Sequence, residues 1–195
     1  MVKPRSVVVV GSSGSGKTTA VDAVRDARYA HAVVVPKRFI TRPARANDNL
    51  TENQHMTASE FGAGVRDGRI WPHWCRDLGG DRLEQYGFER VAQDDNRLRV
   101  YSANNAFVRS DDASVRTVLE SAQVVAVMAD AAVRQARMAQ RSPDLKTSEL
   151  TIRNGDAASD ILARADVLVI DTSNQTPEKT QTAFVKLIED LLHHD

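Results

Sequence analysis

Arg5-Ser-Val-Val-Val-Val10-Gly11-Ser-Ser-Gly-Ser-Gly-Lys-Thr18 is the stretch that decides the fold. A short run of β-branched residues with no polar alternation reads as a strand covered on both faces, as in a parallel sheet. It leads directly into G-x-x-x-x-G-K-[ST], the spacing of a phosphate-binding P-loop. Glycines there let the backbone bend so that successive N–H groups converge on phosphate oxygens. On this reading Gly11, Ser12, Ser13, Gly14, Ser15, Gly16, Lys17, Thr18 and Thr19 form a nucleotide-phosphate cradle. Lys17 brings a positive charge to the β/γ-phosphates, and Thr18 offers a hydroxyl ligand to Mg²⁺. The following Thr19-Ala-Val-Asp-Ala-Val24 is compatible with a helix whose positive end faces the same anion.

Working outward, further β-type runs occur at His31–Val35, Arg97–Tyr101, Gln123–Met128 and Asp166–Ile170. Helical stretches are expected at Lys17–Ala27, Ala113–Ser121, Ala131–Arg141, from Ser148 onward, and at Pro177–Leu192. Asp130 is placed to cap one of these, and Thr176 with Pro177 at the first helical position opens the last. Strand alternating with helix predicts a three-layer α/β fold, a parallel sheet with helices on both faces. Residues 36–95 break the alternation. They hold polar loops, a short helix opened by the Thr57-Ala-Ser-Glu60 capping-box pattern, and the aromatics Trp71, Trp74 and Tyr86. The expected organisation is one domain over 1–195, with a core at 1–35 and 96–195, an acceptor-binding insertion at about 36–95 and a lid at about 138–153.

Composition narrows the function classes. The 195 residues carry 26 basic and 26 acidic side chains, so the chain lacks the broad positive field of a nucleic-acid or anionic-membrane binder. With a single cysteine, Cys75, neither a disulfide framework nor a cysteine-rich zinc site can form, and a reducing cytoplasmic setting fits. The apolar run at the start is too short for a leader, and no stretch reaches the roughly 20 apolar residues of a membrane span. The expected partner is a small phosphorylated molecule, with neither nucleic acid nor membrane.

Phosphoryl transfer needs positioning and positive charge more than covalent work by the protein. Arg137 and Arg141 fall four apart on one helical face, and Arg153 follows the Ser142–Thr147 interruption expected to be a flap. Farther upstream, Ile40-Thr-Arg-Pro-Ala-Arg-Ala-Asn-Asp48 holds two more arginines in a loop. With these motifs the chain resembles the guanylate kinase-like branch of the nucleoside monophosphate kinases, including the related ribose 1,5-bisphosphate kinases. The resemblance implies that Arg137, Arg141 and Arg153 belong to an R-x-x-x-R…E-x-x-x-R lid closing over the phosphates of ATP, with Lys17 completing the catalytic set. It also implies that Arg42 and Arg45, with Asp48 nearby, grip the acceptor phosphate; the guanidinium fork suits that role.

Departures from the pattern bear on the substrate. Where guanylate kinases carry a phosphate-binding tyrosine, this chain reads Thr51-Glu-Asn-Gln-His55, closer to the E-x-H element of the sugar-bisphosphate kinases. His55 is therefore a candidate substrate contact. Trp74 and Tyr86-Gly87 resemble the W…YG element of both branches, stretched by the residues around Leu78–Arg82. No guanine-reading glutamate is evident near Ile70–His73. The strand expected at Arg97–Tyr101 ends in Ser102-Ala-Asn-Asn105, with Asn104 in place of the carboxylate that many P-loop enzymes put there. Asn104 can hydrogen-bond an acceptor, leaving Mg²⁺ to Thr18, nucleotide oxygens and water. The leading expectation is an ATP- and Mg²⁺-dependent kinase acting on the phosphate of GMP or dGMP, with ribose 1,5-bisphosphate close behind. A catalytically weak scaffold is the rival from another class, and an ATPase-driven nucleic-acid factor the third.

Overall fold

The computed structural model describes residues 5–44, 48–79, 82–141, 159–163 and 166–193. The chain divides into two compact units: Met1–Val35 with Arg97–Asn105 and Ser121–Asp195, and Pro36–Asn96 with Ala106–Glu120.

The first unit is built on a five-stranded sheet in the order β2-β7-β1-β8-β9, every pair parallel. Its strands are β1 (Ser6–Val10), β2 (Val33–Val34), β7 (Leu98–Ser102), β8 (Ala122–Met128) and β9 (Val167–Asp171). β1 lies at the centre and all five of its residues are buried, which is why its apolar character is continuous rather than alternating. Val7, Val9, Val100, Val125 and Val127 pack with Ala20 and Val21 of α1 (Lys17–Asp22) and with Phe184 and Ile188 of the C-terminal helix, α7 (Pro177–His193). Each such valine contributes about 1.5–3 kcal/mol relative to an exposed position. Thr176 caps α7, accepting from the Lys179 N–H at 3.3 Å. α5 (Ala131–Arg141) follows β8, and α6 (Ser159–Leu162) precedes β9.

Two elements are shorter than expected. The helix predicted over 17–27 stops at Asp22 because the next N–H groups reach back three residues instead of four, Ala23 to Ala20 and Val24 to Val21. Asp26 then caps a separate 3₁₀ turn at Ala27–Tyr29 through the Arg28 N–H. β2 shrinks to two residues at the sheet edge, with Pro36 shortly after.

The second unit contains a sheet that the sequence did not announce. Four strands run in the order β4-β3-β6-β5: β3 (Arg38–Ile40), β4 (Asn53–His55), β5 (Ile70–Asp77) and β6 (Leu83–Glu89). β3 pairs parallel with β4 and antiparallel with β6, which pairs antiparallel with β5. Trp74 and Tyr86, separated in sequence by the Leu78–Arg82 stretch, are cross-strand partners with stacked rings 5.4 Å apart. Phe107, in the short α3 (Asn105–Val108), meets Trp74 edge-on at 4.9 Å. α2 (Ala58–Arg66) has the complete Thr57–Glu60 capping box and packs Phe61 against Phe39 and Ile70. α4 (Ala113–Leu119) is capped by Asp112.

Candidate functional site

In the first unit the Gly11–Thr18 loop joins the end of β1 to α1. Gly11 has φ 147°, and a Cβ there would sit 2.2 Å from the Val127 carbonyl oxygen. At Gly14, φ is 80° and a Cβ would come within 2.7 Å of the Arg134 carbonyl oxygen. Both positions thus require glycine, sterically as well as conformationally. The Ser15 N–H donates to the Ser12 carbonyl at 3.2 Å, closing the turn. Lys17 Nζ donates to the carbonyls of Gly11 and, at 3.1 Å, Ser12. Thr18 and Thr19 are half-buried at the start of α1, and Ser13 is half-buried in the loop.

Beside the loop, Arg137 on α5 donates from Nη1 to the Gly14 carbonyl at 3.3 Å and to Thr172 Oγ1 at 2.9 Å. Its Nη2 donates to the Thr172 carbonyl at 2.8 Å. Thr172, fully buried just past β9, places its hydroxyl 2.8 Å from the Ser15 carbonyl and 3.0 Å from that of Met128. This residue joins the loop, the end of β8 and Arg137 in one node. Sequence reading passed over it. The available signal was its position, a polar residue at the carboxyl end of a parallel strand, where ligands of open α/β sheets bind.

The second unit carries a different cluster. Arg42, beyond β3, grips Asp48 with Nη1 and Nη2, each 2.7 Å from a carboxylate oxygen, and Nη1 also donates to the Pro43 carbonyl at 2.9 Å. Three of its five N–H donors are thereby engaged; those left on Nε and Nη2 face no acceptor among the described residues. Burial works against the Arg42 charge, but the hydrogen bonds and charge of Asp48 outweigh it and raise the guanidinium above its ordinary value. His55 Nδ1 lies 2.9 Å from the Arg42 carbonyl and Nε2 lies 3.1 Å from Asp48. Glu52 and Asn53, which precede His55 in the E-x-H-like run, are buried and engaged by Arg38, at 3.4 and 2.9 Å.

Tyr86 donates its hydroxyl to Glu84, two residues back on β6. Burial first, then the Glu84 charge and hydrogen bond, push the Tyr86 phenol up to about 12, while Arg76 and Arg42 pull the other way. Asn104 lies two residues beyond β7, in the first unit. Arg45 and Arg153 lie outside the described residues, as does most of the run expected to form a lid. Arg141 closes α5, and its side chain also lies outside the description.

No family model matches the chain. A curated relative does: ribose 1,5-bisphosphate phosphokinase PhnN of Rhodopseudomonas palustris (strain ATCC BAA-98 / CGA009) is 34% identical over 140 residues, 71% of this chain and 67% of the relative. The chain belongs to the guanylate kinase-like P-loop kinases that include PhnN. Among solved structures, this kinase aligns over its whole length with 90% of guanylate kinase from Anaplasma phagocytophilum, at a TM-score of 0.62 and 19% identity. That likeness establishes the P-loop kinase fold predicted from the strand and helix pattern. A gluconokinase from Sinorhizobium meliloti 1021 aligns at a TM-score of 0.45 and 16% identity, covering 97% of this chain and 96% of the other. The kinase is thus a small-molecule phosphotransferase with a nucleotide-binding P-loop.

Proposed function

We propose that this kinase moves the γ-phosphoryl of ATP onto a phosphate of a small phosphorylated acceptor, with ribose 1,5-bisphosphate the first candidate. The observation that carries the acceptor is the 34% identity to a ribose 1,5-bisphosphate phosphokinase. It reverses the order expected from the sequence, in which GMP or dGMP came first. The nucleoside monophosphate stays as the second reading because Arg42, in the run resembling the GMP-gripping arginines, keeps two donors that face no acceptor among the described residues.

In this reading the Gly11–Thr18 backbone and Lys17 hold the β- and γ-phosphates of ATP. Gly11 and Gly14 support this, since a side chain at either would collide with Val127 or Arg134 and distort the loop. Thr18 offers Mg²⁺ one protein oxygen, and no group of three His, Cys, Asp or Glu among the described residues forms a metal cage. That donor set fits an ion arriving with the nucleotide, which retains waters and phosphate oxygens as ligands. Once bound, Mg²⁺ neutralises charge on the transferring phosphates. Arg137, Arg141 and Arg153 are assigned to the transition-state charge, where one such donor is typically worth 10²–10³ in rate. Arg42, with Arg45 and His55, holds the acceptor, its Nε–Nη2 edge suited to two phosphate oxygens. A phosphate acceptor is already anionic, so no general base is assigned.

The test is coupled ADP release with ribose 1,5-bisphosphate, GMP, dGMP and other nucleoside monophosphates, the product identified by its new diphosphate linkage. Stimulation by ribose 1,5-bisphosphate alone supports the first reading, and stimulation by GMP the second. ATP binding with no turnover on any acceptor points to a scaffold.

A further inference from the structure

Glu84 is 8% exposed, a burial that a carboxylate rarely tolerates without partners because desolvating its charge costs several kcal/mol. Its hydrogen-bond partner among the described residues is the Tyr86 hydroxyl. A carboxylate offers about four acceptor positions, of which the Tyr86 hydroxyl fills one. Its surroundings are set by strand register. Residues 84 and 86 share one face of β6. Across from them on β5 stand Arg76 and Trp74, and Ile40 of β3 faces Tyr86 from the other side. That pairing continues beyond β3: the Thr41 N–H donates to the Gln85 carbonyl at 3.1 Å, and the Gln85 N–H donates to Thr41 Oγ1 at 2.9 Å. The same register brings Arg42 alongside Glu84, whose charge is felt at the guanidinium. A buried carboxylate thus lies next to Arg42, two of whose donors face no acceptor among the described residues.

We infer that Glu84 is a specificity residue of the acceptor site, accepting hydrogen bonds from neutral donors, hydroxyl or amide N–H, on the non-phosphate part of a molecule whose phosphate lies on Arg42. This rests on the proposed acceptor role of Arg42. The charges sort the ligand's two ends: a phosphate is attracted to the guanidinium and repelled by the carboxylate, whereas a sugar hydroxyl or a base N–H is attracted to the carboxylate. Tyr86 fixes Glu84 by donating to one oxygen and stacking on Trp74. The shared chemistry is a phosphate with a donor group on the same small molecule, from either a pentose or a purine.

The experiment is calorimetric binding to the full chain, wild type and Glu84→Gln. The probes are inorganic phosphate, ribose 5-phosphate, 2-deoxyribose 5-phosphate, GMP and IMP. Glutamine keeps an oxygen for Tyr86 but turns one acceptor into a donor. A hydrogen bond to a charged group is worth about 1.5–3 kcal/mol, so roughly ten- to hundredfold weaker binding is expected for donor-bearing probes, with inorganic phosphate bound no more weakly because a repelling charge is removed. Ribose 5-phosphate favoured over its deoxy analogue only in wild type identifies a sugar donor. GMP favoured over IMP only in wild type identifies the base. Equal affinities in wild type and variant, equal loss for inorganic phosphate, or no binding of any organic probe to the wild type overturns the assignment. Loss of cooperative unfolding in Glu84→Gln is met by Glu84→Asp, expected to bind the donor-bearing probes more weakly while inorganic phosphate is unchanged. Acceptor-stimulated ADP release in the wild type tests the parent reading separately. Turnover with a flat Glu84→Gln response removes Glu84 alone, whereas absent turnover removes the kinase assignment of the acceptor.

Discussion

Replacing Thr172 by valine keeps a β-branched side chain of nearly the same shape and removes the hydroxyl at the centre of the node beside the P-loop. That hydroxyl donates toward Ser15 and Met128 and accepts from Arg137 at 2.9 Å, all in a fully buried position. One neutral hydrogen bond is worth about 1 kcal/mol and one to a charged donor about 1.5–3 kcal/mol. Arg137 still holds the Thr172 carbonyl through Nη2, so the lower end is appropriate and the expected loss is about 2–3 kcal/mol. For a chain of this size that lowers Tm by roughly 5–10 °C. Thr172→Ser retains the hydroxyl and drops one methyl, for a loss of about 1 kcal/mol. Urea unfolding with unchanged m-value measures both, and steady-state kinetics follows kcat, expected to fall further in the valine variant because Arg137 and the Gly14–Ser15 backbone lose their common partner. Equal losses in the two variants would place the energy in the methyl group and refute the reasoning.

Lys17→Ala should leave the melting curve near that of wild type and abolish acceptor-stimulated ADP release; residual turnover above about one per cent would remove Lys17 from the transition state. Arg42→Lys keeps a charge beside Asp48 but gives up the fork, so the KM for the acceptor should rise about tenfold or more while that for ATP is unchanged; parallel changes in both would contradict the assignment. All three tyrosines are held as phenols: Tyr86 and Tyr101 are pushed up to about 12, chiefly by burial, and Tyr29 is raised. A raised phenol pKa stabilises the fold fully below pH 10, the unfolded value, and the contribution is lost as pH rises through 12. Ultraviolet titration of native protein should therefore lag that of unfolded protein, and coincident curves would show the rings to be solvated.

What could be read in the sequence follows from how locally each feature is encoded. β1 and the P-loop were legible because a central parallel strand must be apolar on both faces and the loop's glycines are irreplaceable at Gly11 and Gly14. α7 was legible through Thr176 and Pro177. The helix end at Asp22 was not, since nothing in Ala23-Val24-Arg25 forbids another turn; the hydrogen bonds simply tighten there. The second sheet was hidden for another reason. β6 buries Tyr86, Gly87 and Phe88 in succession, β5 buries nothing beyond Trp74, and the pair carries Pro72 and Gly87 and shifts register between Ile70 and His73, so neither shows a clean two-residue period. Alternation did survive in Glu84-Gln-Tyr-Gly-Phe88, where it sets a glutamate on the same face as two aromatics. Thr172 assembles with Ser15, Met128 and Arg137, residues drawn from three separate stretches of chain, and such a node emerges only on folding.

Arg137 and Arg42 are oriented by different acceptors, and this difference has a measurable consequence. Arg137 rests on carbonyls and a hydroxyl, none of which carries formal charge, so among the described residues no carboxylate pairs with its positive charge beside the P-loop. Arg42 is held by a carboxylate and neighbours another, so among the described residues its charge is opposed while its donor geometry is retained. A phosphate reaching Arg42 is therefore held chiefly by directed hydrogen bonds, and one reaching the P-loop also feels the field of an arginine with no carboxylate partner among the described residues. Exposed long-range fields are screened by salt over a Debye length of about 8 Å at physiological ionic strength, whereas short directed contacts in partly buried sites are screened much less. Raising ionic strength at constant free Mg²⁺ should thus increase the KM for ATP more steeply than that for the acceptor. Equal slopes would mean that Asp48 does not neutralise Arg42 in the working enzyme, and that the acceptor, like ATP, is drawn in by charge.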